Sequence, residues 1–574
     1  MADVPPTSHD VGPGSPGAGA VGRVLGTEDA TPLEFWVGIA PGSFLQLDDV
    51  VALERRLPGG AGTVDMYGVV SQVRARHEGA QFDSDVFLIA EGRLPAEVSE
   101  AALVSTTRFE PEVFVPPLPG QEVRRALGAE RDRALFVDQM ERPLPAGLSR
   151  DGEPVFLDLD FLDGTRGAHV NISGVSGVAT KTTYATFLLY SLFESGQLGN
   201  EAANTKALIF NVKGEDLLFL DRPNRLLPAD QAERYGSLKL PTGAFRSVAV
   251  LAPPRPGDPN AAPWVSSRTE GVRSFFWTLE EFCHDGLLPF LFADAEDDRQ
   301  QYTMVVQNVM ARLRDAVPVG DGAVKLVDRT CRTFRDLVDH ISDLVLDEDT
   351  GSEWAGRAIG SGTVNAFIRR LHGSVEAIDP LVRGDVTRSA DQRLTFDGAQ
   401  VTVVDIHSLR DRAQRFVVGV VLRTAFKKKE ASGRAKPLQF VVLDELNKYA
   451  PSQGSSPIKE ILLDVAERGR SLGIILIGAQ QTASEVERRI VANSAIRVVG
   501  RLDAAEASRA EYGFLPTVQR QRATLIKPGT MIVSQPRLPV PVVLEFPFPA
   551  WATRSAEADP VISADPGDDP FDGV

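Results

Sequence analysis

The residues best placed to do chemistry lie in one glycine-bearing stretch, which reads Asn-Ile-Ser-Gly-Val-Ser-Gly-Val-Ala-Thr-Lys-Thr-Thr at positions 171–183. A strand pattern precedes it and a helical apolar period follows it, so the order predicted is strand, loop, helix. Main-chain N–H groups of such a loop cradle phosphates, a lysine reaches the outer phosphates and a hydroxyl binds magnesium. The candidate nucleotide-binding residues are Gly174, Gly177, Val178, Ala179, Thr180, Lys181, Thr182 and Thr183, with Thr182 also a metal ligand.

This loop departs from the usual phosphate-loop pattern, which has six positions from its first glycine to the lysine and a glycine just before the lysine. Here Gly174 and Lys181 are seven positions apart, and Thr180 precedes the lysine. On this stretch alone, a strand-to-helix turn that binds no ligand is the alternative interpretation.

A second candidate is the acid pair at the end of an apolar run, Phe440-Val-Val-Leu-Asp444-Glu445. An apolar strand delivers these carboxylates to its carboxyl end, where α/β sheets bind ligands. Asp444 is suited to hold magnesium and Glu445 to polarise an attacking water. An apolar strand that ends in two acids is common, so this motif indicates a nucleotide site only in combination with the phosphate loop.

Two arginines and two glutamines complete the candidates. A predicted helix at 457–470 ends with Arg468 and Arg470, and the next strand, 474–477, leads to Gln480 and Gln481. A glutamine at that strand end can sense the terminal phosphate, and the arginines can point into the site of a neighbouring subunit. The alternatives are favourable charge at a helix C-terminus for the arginines and loop polarity for the glutamines.

The elements that must position these residues read as an α/β domain. Buried-type strands separated by helices predict a parallel sheet covered on both faces. Between 265 and 395 the pattern becomes helical, which predicts a helical insertion that divides the core into 121–264 and 396–548. The predicted strands of the core lie at 155–161, 168–172, 206–212, 247–251, 401–405, 440–443, 474–477, 496–500, 529–534 and 541–546.

Short strand patterns dominate the region 21–120, which predicts a small barrel or sandwich. They lie at 22–26, 34–39, 44–53, 63–74, 84–89, 102–109 and 112–115. Residues 1–20 are poor in bulky apolar side chains and are predicted to be disordered, and an acidic tail is predicted at 549–574.

The composition bounds the possible partners and the compartment. A net charge of −17 gives no global basic footprint, so any contact with nucleic acid must be local. The densest basic run, 427–429, is more simply a solvated helix end than a DNA contact. Only Cys283 and Cys331 occur, without zinc spacing, and no apolar run is long enough to span a bilayer. We therefore expect a cytoplasmic protein with no membrane contact.

In this order the motifs resemble the HerA-type ATPases of the HerA/FtsK group, over residues 22–548. The resemblance is carried by Gly-Arg-Val-Leu-Gly at 22–26, Phe-Leu-Gln-Leu-Asp-Asp at 44–49, the loop at 174–182, Asn-Val-Lys-Gly-Glu at 211–215, Val-Leu-Asp-Glu at 442–445, Glu-Arg-Gly-Arg at 467–470 and Ala-Gln-Gln at 479–481. It implies an α/β fold class, a RecA-like P-loop ATPase core with a helical insertion, preceded by a small N-terminal β-barrel (HAS-barrel-like).

The resemblance also implies roles for single residues. Lys181 and Thr182 match the nucleotide and magnesium positions. Asp444 and Glu445 match the metal-holding and catalytic acids, and Gln481 matches the strand-end glutamine better than Gln480 does. The arginine supplied in trans matches Arg470 best and Arg468 second. Asn211 stands where the family usually has Asp.

The implied function is an ATP- and Mg²⁺-dependent translocase of double-stranded DNA, working as a homo-hexamer with a nuclease or other effector docked on the barrel side. An arginine that acts in trans requires such a closed ring. One rival is a nucleotide-binding ring scaffold with weak hydrolysis that assembles and regulates an effector enzyme, for instance in antiviral (phage) defence. A coupling ATPase at a membrane is a third possibility, which the lack of a spanning segment disfavours.

Overall fold

The computed structural model describes residues 19–80, 82–175, 180–268, 270–292, 300–395 and 398–558, and of Thr180 and Gln300 it describes the backbone only. The disorder predicted for 1–20 lies almost wholly outside these ranges, as does most of the acidic tail. Two units are distinguished. The first comprises the chain up to Pro143 with Leu515–Arg522 and Ser534–Val543, and the second comprises Leu144–Phe514, Ala523–Val533 and the chain from Leu544.

The first unit contains a closed antiparallel barrel of six strands in the order β1-β2-β5-β4-β3-β6. Alternate side chains of the strands, among them Val37, Val51, Val64 and Val104, fill its interior. The strands are β1 Ala20–Val24, β2 Glu34–Ile39, β3 Val50–Arg56, β4 Thr63–Glu78, β5 Glu97–Glu110 and β6 Glu122–Arg125.

Two predicted strands of this region were wrong. Of the predicted strand 84–89, all residues but Ser84 lie in α1, Asp85–Ala90, a short helix in the connection between β4 and β5 that has no buried residue. A short apolar run does not distinguish strand from helix by its period. Residues 112–115 belong to no strand. The barrel is closed instead by β6, which pairs with both β1 and β3, and α2 follows at Ala129–Ala134.

The second unit begins with the first half of a large sheet. Its strands are β7 Pro143–Leu148, β8 Pro154–Asp158, β9 Val170–Ser173, β10 Lys206–Asn211, β11 Val248–Ala252 and β12 Val272–Ser274. Its helices are α3 Thr180–Glu194 and α4 Ala229–Ser237.

An insertion of mostly helical structure follows and shares one hydrophobic core with the sheet, because Phe282, Phe334 and Phe367 belong to the same buried cluster as Leu208 and Phe210. Its helices are α5 Leu279–His284, α6 Gln300–Leu313, α7 Phe334–Leu346, α8 Gly351–Ala355, α9 Ser361–His372 and α10 Val375–Ile378. It also holds the short strands β13 Trp277–Thr278, β14 Val317–Pro318, β15 Val324–Leu326, β16 Arg329–Cys331 and β17 Val382–Arg383.

After the insertion the chain returns to the sheet. The strands are β18 Val401–Asp405, β19 Gln439–Leu443, β20 Ile474–Gln480, β21 Ile496–Val499, β22 Thr530–Ser534 and β23 Val542–Glu545. The helices are α11 Asp411–Ser432, α12 Leu446–Tyr449, α13 Pro457–Leu472, α14 Arg488–Asn493, α15 Ala504–Ala507, α16 Thr517–Ala523 and α17 Ser555–Ala558.

The order of the sheet is β12-β11-β18-β10-β19-β20-β9-β21-β22-β23-β7-β8. In this spatial order, the first eight strands, from β12 to β21, pair in parallel, each with the next. The carboxyl ends of β9, β10, β18, β19 and β20 therefore meet at one edge, where an α/β sheet binds its ligands. The predicted α/β class is confirmed: a core with a largely parallel sheet and a mostly helical insertion follows an N-terminal β-barrel in the chain.

Candidate nucleotide-binding site

Lys181 lies in the first turn of α3, directly beyond the carboxyl end of β9. Its ammonium donates a hydrogen bond of 2.7 Å to the carbonyl oxygen of Gly174, which spans the loop between strand and helix. Only 6% of Lys181 is exposed, and burial lowers the pKa of its ammonium, an effect that Lys213 reinforces and Asp444 opposes. Residues 176–179 of this loop, including the predicted Gly177, Val178 and Ala179, lie outside the described residues, as does the side chain of Thr180.

Thr182 and Asp444 come together across the sheet edge. The Thr182 hydroxyl donates a hydrogen bond of 2.9 Å to Oδ2 of Asp444. Magnesium prefers oxygen ligands and is commonly held by one or two protein groups together with water and substrate phosphates. The hydroxyl and the carboxylate are such a pair, so the residues present fit Mg²⁺. Among the described residues no cluster of three or more His, Cys, Asp or Glu side chains forms a dedicated metal site.

Glu445 follows Asp444 in an unusual backbone conformation, with φ 54° and ψ 43°. A left-handed conformation costs a residue other than glycine on the order of 1 kcal/mol and concentrates at functional sites. The Glu445 amide donates a 2.8 Å hydrogen bond to Oδ1 of Asp444, so both oxygens of Asp444 are engaged. The strained turn directs the two adjacent carboxylates to different partners.

The partner of Glu445 is Lys213, a residue to which no role was assigned from the sequence. The Lys213 ammonium lies 2.6 Å from Oε1 of Glu445. Lys213 follows β10, and β10 pairs in parallel with β19 so that Phe210 lies beside Leu443. The signal available in the sequence was a strand that ends in the polar run Asn-Val-Lys-Gly-Glu. Its meaning depended on knowing that β10 and β19 are neighbours.

A cavity of about 790 Å³ opens beside these groups, a volume suited to a nucleotide. Lys181, Thr182, Asp444 and Lys213 line one part of it, and Phe548, which is 53% exposed, lines another. Glu445 is not among the described residues that line the cavity, whereas its partner Lys213 is. The phosphate-binding candidates and a set of apolar side chains therefore share one continuous space.

The two glutamines occupy different places. Gln480 ends β20 and is fully buried, and its amide nitrogen donates to Oδ1 of Asn171 at 2.7 Å and to the Ser173 hydroxyl at 2.8 Å. Gln481 is the first residue after the strand and is exposed. Neither glutamine lines the cavity, and Gln480 ties β20 to β9, the strand that leads into the phosphate loop.

The two arginines near the end of α13 are both exposed. The Arg470 guanidinium donates to the carbonyl oxygens of Gly164 at 3.0 Å and Thr165 at 2.9 Å. Arg468 pairs with Glu430 and lies over the ring of Phe426. Neither arginine lines the cavity of its own chain. The structure therefore does not bring them together with Lys181 and the acid pair.

Asn211, the departure from the family pattern, is explained by its neighbour. Its amide nitrogen donates to Oδ1 of the fully buried Asp405 at 2.9 Å and to the carbonyl oxygen of Gly214 at 2.8 Å. An acid at 211 would face Asp405 with like charge at a buried position. Asp405 also accepts a 2.8 Å hydrogen bond from His407, which raises the pKa of that histidine. Asn211 thus fixes the turn that carries Lys213.

The basic run at 427–429 is not simply the predicted solvated helix end. Lys429 is buried, and its ammonium donates to the carbonyl oxygens of Arg434, Ala435 and Pro437. It therefore secures the connection from α11 to β19. In the described part of the chain, no helix is long and apolar enough to cross a membrane.

No family model matches the chain, and no curated protein matches it in sequence. Among solved structures, it is similar to VirB4 of Thermoanaerobacter pseudethanolicus, with 15% identity over 71% of this chain and 96% of that one and a TM-score of 0.44. It is also similar to the plasmid coupling protein TrwB in complex with ADP and Mg²⁺, with 11% identity over 74% and 94% of the two chains and a TM-score of 0.44.

A third similar structure is the genome packaging NTPase B204 from Sulfolobus turreted icosahedral virus 2, with 10% identity over 26% and 70% of the two chains and a TM-score of 0.20. All three neighbours lie below 25% identity and below a TM-score of 0.5, so they do not specify the HerA type that the sequence resembles. Similarities this distant concern the fold and assign no role to any residue.

Proposed function

We propose that the protein is an ATP-hydrolysing motor of HerA type that moves double-stranded DNA and works as a closed homo-hexameric ring. One observation carries the proposal: Lys181, Thr182 and Asp444 meet at the carboxyl edge of a parallel sheet, on the wall of a cavity of about 790 Å³. A buried ammonium beside a hydroxyl and a carboxylate is the group of side chains that binds a metal-bound polyphosphate.

The proposed reaction is the hydrolysis of ATP to ADP and phosphate. The oxygen of a water forms a bond to the γ-phosphorus while the bond from that phosphorus to the β,γ-bridging oxygen breaks, and Glu445 accepts a proton from the water. Lys181 binds the outer phosphates, and Thr182 and Asp444 would hold Mg²⁺. When bound, Mg²⁺ neutralises charge on the phosphate oxygens.

The ring is proposed from the arginines. Charge that develops on the transferred phosphoryl group is commonly stabilised by an arginine that another subunit supplies. Arg470 is exposed at the end of α13 and does not line the cavity of its own chain, which suits a residue that acts in a neighbouring copy. Repeating such a head-to-tail contact closes a ring.

The partners are proposed with the motor. Since the net charge is −17, contact with duplex DNA is assigned to a local surface rather than to the whole protein. A nuclease or other effector that docks on the barrel side would supply the cutting chemistry. In the described ranges no clustered carboxylates of the kind that hold nuclease metals occur.

The proposal is tested by ATPase assays with and without duplex DNA. We expect Mg²⁺-dependent turnover that duplex DNA stimulates, and we expect Lys181→Ala and Glu445→Gln each to abolish it. A matched control is Lys206→Ala, at the other end of β10 from the site. Rates like those of the unaltered protein from either site variant would refute the assignments.

A second candidate function is a nucleotide-binding ring that hydrolyses slowly and organises an effector enzyme. The observation that favours it is the ion pair between Glu445 and Lys213, which occupies the proposed base. Turnover and affinity measured on the same preparation separate the two functions. The scaffold predicts tight binding with negligible DNA-stimulated hydrolysis, whereas the motor predicts both binding and turnover.

A further inference from the structure

Lys213 occupies a turn whose shape is fixed by buried groups. The Asn211 amide bonds at once to Asp405 below it and to the Gly214 carbonyl beyond it. Gly214 has φ 59°, a conformation that glycine adopts without strain. The backbone of Lys213 is thereby held, while its side chain is 47% exposed on a flexible four-carbon stem. The ammonium can change partners without a change in the turn.

The neighbourhood of Lys213 is that of the phosphate site. It lines the same cavity as Lys181, Thr182 and Asp444. Burial lowers the pKa of Lys181, and Lys213 is close enough for its charge to add to that lowering. Two ammonium groups around one cavity attract a polyanion that can neutralise both.

We propose that Lys213 is a second catalytic lysine, which binds the terminal phosphate of ATP and in doing so releases Glu445 to the attacking water. This inference rests on the proposed ATPase function. In the structure the ammonium contacts the carboxylate of Glu445. A γ-phosphate carries more negative charge and three acceptor oxygens, so it competes with Glu445 for that ammonium.

The exchange of partners couples the identity of the nucleotide to the availability of the base. ADP has no γ-phosphate, so with ADP the Lys213–Glu445 pair persists and Glu445 stays neutralised. With ATP the pair opens, and Glu445 becomes a free carboxylate able to accept a proton from water. After phosphate leaves, the lysine returns to Glu445. No further co-reactant is required, because only an ion pair changes.

The experiment compares affinities for a non-hydrolysable ATP analogue and for ADP, both with Mg²⁺, in the full-length protein. Lys213→Ala is expected to weaken binding of the analogue by about 10-fold or more, as loss of a charged hydrogen bond does, and to change ADP affinity by less than about 2-fold. Lys213→Arg keeps the charge and is expected to restore most of the discrimination. Lys206→Ala, on the same strand, should leave both affinities unchanged.

Equal effects of Lys213→Ala on the two nucleotides, or no effect on either, would overturn the inference, because a merely structural lysine does not distinguish ATP from ADP. The ATPase function and the role of Lys213 can be refuted separately. If the unaltered protein hydrolyses ATP and Lys181→Ala is inactive while Lys213→Ala discriminates normally, only the role of Lys213 is refuted. If the unaltered protein binds no nucleotide, the ATPase proposal fails and this inference fails with it.

Discussion

The phosphate side of the candidate site and the end of α13 differ in completeness. On the phosphate side, Lys181, Thr182 and Asp444 are brought into contact or near contact by one chain. At the end of α13, Arg468 and Arg470 are exposed and bonded to their own chain away from the cavity. Folding of one chain assembles the first region. In the proposed function, the second region takes part in hydrolysis only by acting on the site of another copy.

The contrast shows which properties a single chain can determine. In the proposed function, nucleotide and metal binding depend on groups that the parallel sheet places at its own edge. In the proposed function, stabilisation of the transition state depends on the charge of Arg470, which is exposed at the end of α13. We therefore expect variants of the first region to be defective in any state of assembly, and variants of the second region to be defective only in how subunits act on one another.

The largest expected effect is on the phosphate side. Asp444→Asn removes the charge that would hold Mg²⁺ and should lower ATP turnover on the order of 10³-fold, with a raised requirement for Mg²⁺. Turnover measured across a Mg²⁺ titration checks this. The control is Asp464→Asn on the exposed face of α13, which should be silent. An unchanged Mg²⁺ dependence in Asp444→Asn would remove this residue from the site.

The next effect concerns the end of α13. Arg470→Ala should lower turnover by about 10²-fold or more, while nucleotide affinity changes little, because arginines of this kind act on the transition state. Arg468→Ala is the matched control and should stay within about 3-fold, since an exposed ion pair contributes little. If Arg468→Ala is the defective variant instead, Arg468 takes the role proposed for Arg470, and the end of α13 still supplies the arginine. Normal turnover in both variants would contradict any role of this helix end in hydrolysis.

The strands that lead to Lys181 and to Asp444 could be predicted from the sequence because their patterns are local. The strand patterns before Lys181 and Asp444 identified two strands of one sheet, and the helical insertion predicted at 265–395 contains α5 to α10. The period of apolar residues, two in a strand and 3.6 in a helix, is a property of the local sequence, so it can be recognised before the fold is known. The same holds for the exposed arginines at a helix end.

Contacts between distant segments were not accessible in this way. The Lys213–Glu445 pair requires that β10 lie beside β19, and Lys429 is buried only because the loop before β19 folds back onto it. The helix at Asp85–Ala90 was mistaken for a strand because its apolar residues are not packed against a core. Each of these depends on tertiary placement rather than on sequence spacing.

The pH dependence of the free energy of unfolding tests how β9, which leads to the phosphate side, is packed against α13. His169 precedes β9, packs against Gly469 of α13 and accepts a 2.9 Å hydrogen bond from the Leu476 amide. Burial lowers its pKa from 6.5 to about 4. The unfolded chain then binds more protons between these values, so this contribution is complete above pH 6.5 and is lost as pH falls to about 4. It amounts to about 3 kcal/mol at most.

The free energy of unfolding, measured by denaturant titration between pH 4 and pH 7, checks this prediction. His169→Asn keeps an acceptor for the Leu476 amide without titrating, so its stability should depend less on pH than that of the unaltered protein. Parallel pH profiles for the two proteins would show that His169 is not the buried neutral group described.

The smallest effect separates the two glutamines beneath the phosphate loop. Gln480→Ala leaves the buried Asn171 and Ser173 without their partner and should destabilise the protein by about 1–3 kcal/mol. Gln481→Ala, one residue further along and exposed, should stay within about 0.5 kcal/mol. Thermal or denaturant unfolding of the pair measures the difference. Equal stabilities would mean that the buried network does not secure β9.

The most direct test of the central claim mixes two inactive variants. A subunit with Glu445→Gln keeps Arg470, and a subunit with Arg470→Ala keeps the phosphate side, so some contacts in a mixed ring join an intact acid to an intact arginine. We predict that mixtures regain ATPase activity, approaching about a quarter of the unaltered rate at equal proportions if subunits assemble at random. Mixtures as inactive as the separate variants at every proportion would contradict a site shared between neighbouring chains.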